Sequence, residues 1–255
     1  MLAITFTVIF VGTYCVDVAL SFYAVRKAPA AVRILPSDLR DQSVSEAPGE
    51  KVTYVGYAFE IPWSDLDEDQ TMSYPKDRPK KASVDLRFRS GLRLLIKAIP
   101  PREWANGLPK ELKVSPHVIE SAFGQETMKS DYSFVKTLYE FNPERMNHWA
   151  FSRGGFNRDE LMLLIKSIAL SKSADAGIFN LKDANYKGFQ QGDPQVRQDR
   201  ILVNLYSDDG SVEMILFQKD YRDPKGVTQP EINRIVQSFR SASPIGSTDP
   251  GISKR

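Results

Sequence analysis

The sequence predicts an α+β fold, an antiparallel sheet with helices packed on it, preceded by one transmembrane helix. Three observations predict it. An unbroken apolar run opens the chain. Two pairs of strand-like segments flank glycine-containing turns. Amphipathic segments with helix-start signals accompany those pairs, without the regular β-α-β alternation of a parallel sheet.

The apolar run is Leu2 to Val25, in which Asp17 is the one charged residue. As a helix it would extend about 36 Å, enough for a hydrocarbon core of about 30 Å. A secretory signal peptide would begin with basic residues and hold a shorter apolar stretch. A lipoprotein site at Cys15 would want small residues before it, where Tyr14 stands. The expectation is therefore a retained single-pass anchor over residues 1–25. Asp17 would cost about 2.5–3.5 kcal/mol at mid-membrane. It reads either as a tolerated polar residue or as a contact to a partner's membrane helix. Arg26, Lys27, Arg33 and Arg40 follow the run. By the positive-inside rule they favour a cytoplasmic body. Exported anchored domains share this layout, so the side of the membrane stays open.

Residues 26–51 read as a linker, with Pro29, Pro36 and Pro48 spaced among polar residues. Residues 52–241 read as one globular domain and 242–255 as a flexible tail. Val52–Ile61 is rich in β-branched and aromatic residues and reads as a strand stopped by Pro62. Ser83–Arg89 and Leu92–Ile99 flank Ser90-Gly91, a hairpin signal. Arg200–Tyr206 and Val212–Phe217 flank Asp208-Asp209-Gly210 and form a second one. Gly177–Leu181 and Tyr186–Gln190 are shorter strand candidates.

Helices begin where caps stand. Asn157 with Glu160 precedes Leu161, Leu164, Ile165 and Ile168. Thr228 with Glu231, and Pro230 inside the first turn, precedes Ile232, Ile235, Val236 and Phe239. In each helix the apolar four lie at i, i+3, i+4 and i+7 and predict a buried stripe. In the second, Asn233 and Arg234 should then meet solvent or the helix edge. Asp131–Phe141 and Ser115–Phe123 are two further helices.

Composition excludes more than it assigns. With 34 basic and 32 acidic residues, the charge balance gives no reason to expect nucleic acid. The one cysteine, Cys15, excludes an intramolecular disulfide and a thiolate metal cluster. Asp65, Asp67 and Asp69 begin like a calcium loop, but Gln70 and Lys76 replace its glycine and its closing glutamate. Pro75–Lys81 is a short basic loop that reads as solvated, with anionic lipid or phosphate as the sharper reading. Ser152-Arg153-Gly154-Gly155 precedes a helix, but Asp159 and Glu160 would repel an anion there. No cofactor motif is present. His148-Trp149 with Arg153 nearby is the least ordinary local chemistry and supplies the candidate site residues. A hydrolase built on His148 or His117 lacks a nucleophile-elbow motif. The blander reading makes Trp149 a core or groove residue and His148 a boundary residue.

Tyr186–Ser241 runs strand, loop, hairpin, helix, through GFQQGDP, RILVNLY, DDG, SVEMILF and TQPEINRIVQSF. This stretch resembles the closing half of PsbP-like domains. The whole chain is similar to uncharacterised bacterial proteins with one N-terminal anchor. The resemblance implies a binding or assembly module, transfers no functional residue, and covers only that stretch. The resulting expectation is a membrane-tethered, non-enzymatic module whose partners are another envelope protein and the bilayer. A membrane-anchored hydrolase or a small-ligand sensor is the alternative.

Overall fold

The computed structural model describes residues 2–54, 57–74, 83–113, 115–148, 158–170, 172–182, 186–196, 199–207, 212–219 and 226–241. The fold is α+β, with a large mixed sheet, a three-stranded sheet and helices. The chain divides into two compact units. One holds Met1–Asp38, Pro101–Asp193 and Leu202–Val212, and the other holds Leu39–Pro100, Pro194–Ile201 and Glu213–Arg255.

The first unit begins with helix α1 (Leu2–Lys27) and a one-turn 3-10 helix, Ala30–Arg33. Strand β1 (Ser37–Asp38) runs parallel to β7 (Ile178–Lys182), pairing Ser37 with Phe179. The sheet is therefore mixed, where the sequence predicted an antiparallel one. The reason is local: β1 comes from residues 26–51, whose prolines and polar residues carry no strand signal. Strand β8 (Lys187–Gln191) pairs antiparallel with β7, and again with β9 (Arg200–Tyr206). A Cβ on Gly188 would meet the Asn204 carbonyl oxygen at 2.2 Å, so only glycine admits this approach of β8 to β9.

Four helices complete this unit: α2 (Glu103–Leu112), α3 (Pro116–Phe123), α4 (Asp131–Glu140) and α5 (Arg158–Ala169). The last three match the expected helices. Helix α2, with Pro109 in its interior, carried no signal that marked it. Ser130 caps α4 by accepting from the Ser133 N–H. Helix α4 lies on the sheet through aromatic contacts, with Tyr132 and Tyr139 at 5.6 and 5.0 Å from Phe189. Helix α5 differs from expectation in the face it buries. Leu161 and Ile165 are buried as predicted, but Leu164 is 37% exposed and Ile168 50%. Met162, Leu163 and Lys166 are buried instead. The packed face is rotated from the apolar stripe because it accommodates a charged side chain.

In the second unit, β5 (Ser83–Arg87) and β6 (Leu92–Ile99) form the first predicted hairpin, with Arg87 opposite Arg93. Gly91 turns it at φ 82°, the left-handed region that favours glycine. Val84, Leu86, Phe88, Leu92, Leu94 and Ile96 form its buried face. Strand β4 (Met72–Tyr74) pairs with β5. The run Val52–Ile61, expected as one strand, is a hairpin of β2 (Glu50–Tyr54) and β3 (Tyr57–Ile61), with Tyr54 opposite Tyr57. Composition alone could not place the reversal, since both arms favour strand. Strand β10 (Val212–Lys219) forms where expected.

Helix α6 (Gln229–Ser238) begins with the predicted capping box at Thr228 and Glu231. It buries Ile232, Ile235 and Val236, and the adjoining Phe239, as predicted. Phe239 reaches Tyr57 and Phe59 of β3, at 5.6 and 5.9 Å between ring centroids. The short strand β11 (Arg240–Ser241) then pairs with β3. Asn233, expected at solvent or the helix edge, is only 6% exposed. Its side chain, with that of Arg234, hydrogen-bonds the carbonyls of residues 41–47.

The membrane anchor is corrected. Among the described residues no helix is long and apolar enough to cross a membrane. The expectations of a transmembrane segment over residues 1–25 and of a single-pass membrane location fall with it. The second half of α1 turns one side toward protein. Val18 and Ser21 are buried, and Ala24, Val25 and Ala28 pack against Val32, Met146 and Leu163. The Arg33 guanidinium donates to the Val25 carbonyl at 2.7 Å.

Candidate functional site

The first unit brings α1, α5 and the end of α4 around two polar groups. On α1, Ser21 is 1% exposed and faces His148. Its Oγ lies 2.9 Å from His148 Nδ1, and the Phe22 ring stacks on the imidazole at 3.9 Å between centroids. A serine and a histidine at this distance are two members of a hydrolytic triad. Access decides against that role. Nucleophilic attack needs a substrate carbonyl beside Oγ, and Ser21 sits on the packed side of its helix. The pair fixes the pitch of α1 against the loop that carries His148.

Deeper in the same unit lies Lys166, which has no exposed surface. Its Nζ donates to the carbonyls of Tyr139 and Phe141, each at 2.8 Å, and to that of Ile34 at 3.1 Å. Tyr139 and Phe141 stand at the end of α4, where carbonyls lack helical partners and the helix dipole is negative. Burial pushes the Lys166 ammonium down to about 8. Three acceptors for three N–H donors satisfy the charged form. Lys166 therefore ties the segment after α1 to the end of α4. The sequence carried no signal for it, since a lysine beside Ile165 on an amphipathic helix reads as solvated. Beside it, the Gln191 amide donates to the Tyr139 hydroxyl at 2.6 Å. Desolvation holds that hydroxyl, and the one on Tyr206, above the usual tyrosine range.

The structure thus brings His148 to α1. Trp149 and Arg153 lie outside the described residues, as do the loop Pro75–Lys81 and Ser152–Gly155. Asp17 falls within α1, and its side chain is outside the described residues. His117 is exposed on α3. The acidic loop is a turn: the Asp65 carboxylate accepts from the Ser90 N–H and that of Asp67 from the Gln70 N–H. Among the described residues no cluster of histidine, cysteine and carboxylate groups could hold a metal ion.

The other side of α1 is open. Val16, Leu20 and Tyr23 are 57%, 58% and 59% exposed. They stand at i, i+4 and i+7 and so form one stripe. Phe22 beside them is half exposed, and Arg26 and Lys27 close the stripe with positive charge. Lys27 Nζ lies 5.8 Å from the centre of the Tyr23 ring. The chain matches no known protein family, no curated protein and no solved structure.

Proposed function

We propose that the chain is a non-enzymatic binding or assembly module whose protein partner docks on the open face of α1. The exposed stripe Val16–Leu20–Tyr23 carries the reading. A helix that is packed on one side and apolar on the other presents anchors at helical spacing, the pattern of helix-in-groove recognition. Arg26 and Lys27 call for carboxylates at that end of the partner's groove. The resemblance of Tyr186–Ser241 to PsbP-like domains, which are mostly non-catalytic modules, points the same way. Among the described residues the Ser21–His148 pair is packed between α1 and its neighbours, which favours the binding reading over a hydrolase.

The test places a photo-activated cross-linker at residue 20 in the native cell and at Glu120 on α3 as control. The expected result is a discrete heteromeric adduct from position 20, absent from the control and lost when Val16 and Tyr23 become glutamate. Equal labelling at both positions, or an adduct that survives the glutamates, would overturn the reading.

A further inference from the structure

The positive charge of the chain is concentrated in one stretch of the second unit. Residues 76–97 hold eight basic residues and two acidic ones, a net charge of +6. The whole chain carries +2, so everything outside this stretch is net −4. Four of the basic residues, Lys76, Arg78, Lys80 and Lys81, stand in the connection from β4 to β5, outside the described residues. The other four, Arg87, Arg89, Arg93 and Lys97, belong to the β5–β6 hairpin.

Strand alternation gives that hairpin two faces. Val84, Leu86, Leu94 and Ile96 are fully buried on one, and Arg87, Arg93 and Lys97 fall on the other. Arg87 lies directly opposite Arg93, a position in which like charges repel. One carboxylate, that of the buried Asp85, holds both. Arg93 Nε and Nη2 donate to its two oxygens at 2.7 and 2.8 Å, and Arg87 Nη2 donates at 3.2 Å. Asp85 answers one positive charge of the two. Among the described residues none accepts from Arg87 Nε, Arg87 Nη1 or Arg93 Nη1. The two side chains are 38% and 32% exposed, so solvent reaches those donors. The pair is therefore oriented by Asp85, carries excess charge and keeps donors to spare.

We infer that Arg87 and Arg93 form an anion site for the phosphate group of a phosphomonoester. Three unused nitrogens match three terminal oxygens, and guanidinium forks fit phosphate geometry. A phosphomonoester brings close to two negative charges at neutral pH. The unanswered charge of the pair and the exposed Arg89 two residues on compensate them. A carboxylate brings one charge and two oxygens and fills the site less well. Lys97 and the basic residues between β4 and β5 add a field that draws anions toward the hairpin. The site is separate from α1 and stands whether or not a partner docks there.

The test titrates the full chain with inorganic phosphate, with acetate and with a single-stranded oligonucleotide, reading heat. Phosphate should bind saturably, one per chain, and at least tenfold more tightly than acetate. Arg87→Gln should weaken phosphate at least tenfold. Arg87→Lys keeps the charge without the fork and should still weaken it at least threefold. Lys136→Gln removes one positive charge from α4 and should leave the affinity unchanged. A measurement on the unaltered chain stands beside these should a variant fail to fold: phosphate should shift the Nε–H resonances of Arg87 and Arg93 and leave that of Arg234 in place. No saturable binding, acetate as tight as phosphate, unmoved Arg87 and Arg93 resonances, or Arg87→Lys equal to the unaltered chain would overturn the inference. An oligonucleotide that displaces phosphate from Arg87 would make the ligand a phosphodiester chain and overturn it too.

Discussion

The ammonium of Lys166 stands 2.8 Å from the carbonyl oxygen of Phe141, the residue that ends α4. It is buried without a carboxylate at the other end of its bonds. Lys166→Met removes three hydrogen bonds and strands their acceptors, each at a cost of about 1–3 kcal/mol, offset in part by loss of a buried charge. The expected net effect is a loss of about 2–5 kcal/mol in urea unfolding. Alkali should act with the opposite sign. The Lys166 pKa is lowered to about 8 in the folded chain, against 10.5 ordinarily. Between those values the unfolded chain binds more protons, so the Lys166 contribution to stability rises with pH. Denaturant midpoints of wild type relative to Lys166→Met should therefore climb from pH 7 to pH 10. A flat difference would contradict the buried charge.

Asp85 gives the acid counterpart. Burial raises its pKa, but hydrogen bonds and charge from Arg93, with Arg87 adding to both, outweigh this and hold the carboxyl below its usual range. Arg93 Nε and Nη2 meet it at 2.7 and 2.8 Å, and Arg87 Nη2 at 3.2 Å. A lowered carboxylate adds stability above its unfolded pKa and loses it as pH falls through the folded one. Arg87 and Arg93 face each other across β5 and β6, so neutralising Asp85 also exposes their repulsion. Asp85→Asn should destabilise at pH 7 and flatten the acid limb of a stability–pH curve below pH 4. An unaltered acid limb would place the dependence elsewhere.

The two apolar stripes predict opposite outcomes for similar substitutions. Ile235→Ala on α6 removes a fully buried side chain and should cost about 2–5 kcal/mol. Ile168→Ala on α5 removes one that is half exposed, and should cost under about 1 kcal/mol. Paired denaturation curves check both. Comparable losses would mean that Ile168 is covered in solution.

Alkaline absorbance near 295 nm checks the tyrosines. The Tyr139 and Tyr206 hydroxyls are held above the usual range, chiefly by desolvation. Their protonated state favours the fold up to about pH 10, and that contribution is lost as pH rises further. Both should ionise only with unfolding. Tyr139→Phe should leave the tyrosinate amplitude unchanged before the unfolding transition and reduce it afterwards.

Removing residues 1–28 tests the docking of α1. The deletion uncovers Val32, Met146 and Leu163 and takes away the Val25 carbonyl that Arg33 holds. It should lower the melting temperature measurably. A melting curve identical to that of the full chain would show that α1 contributes no packing to the first unit.

The sequence by itself determined what short-range chemistry controls. The capping box Thr228–Glu231 located the start of α6, and four apolar residues at helical spacing named its buried side. Gly91 marked the β5–β6 reversal, because a left-handed position there favours glycine, although the loop holds three residues, Arg89–Gly91, where a two-residue turn was expected. Only tertiary structure decided the rest. Ser37 and Asp38 become a strand because β7 offers a free edge. Lys166 turns inward because three carbonyls from distant segments converge on it. Asn233 and Arg234 leave the solvent because residues 41–47 pass within reach. Ser21 meets His148, 127 residues later, only through the packing of α1. In each case one partner alone carries no pattern. A polar side chain is as well satisfied by water as by a carbonyl, and the choice appears only when both partners are in place.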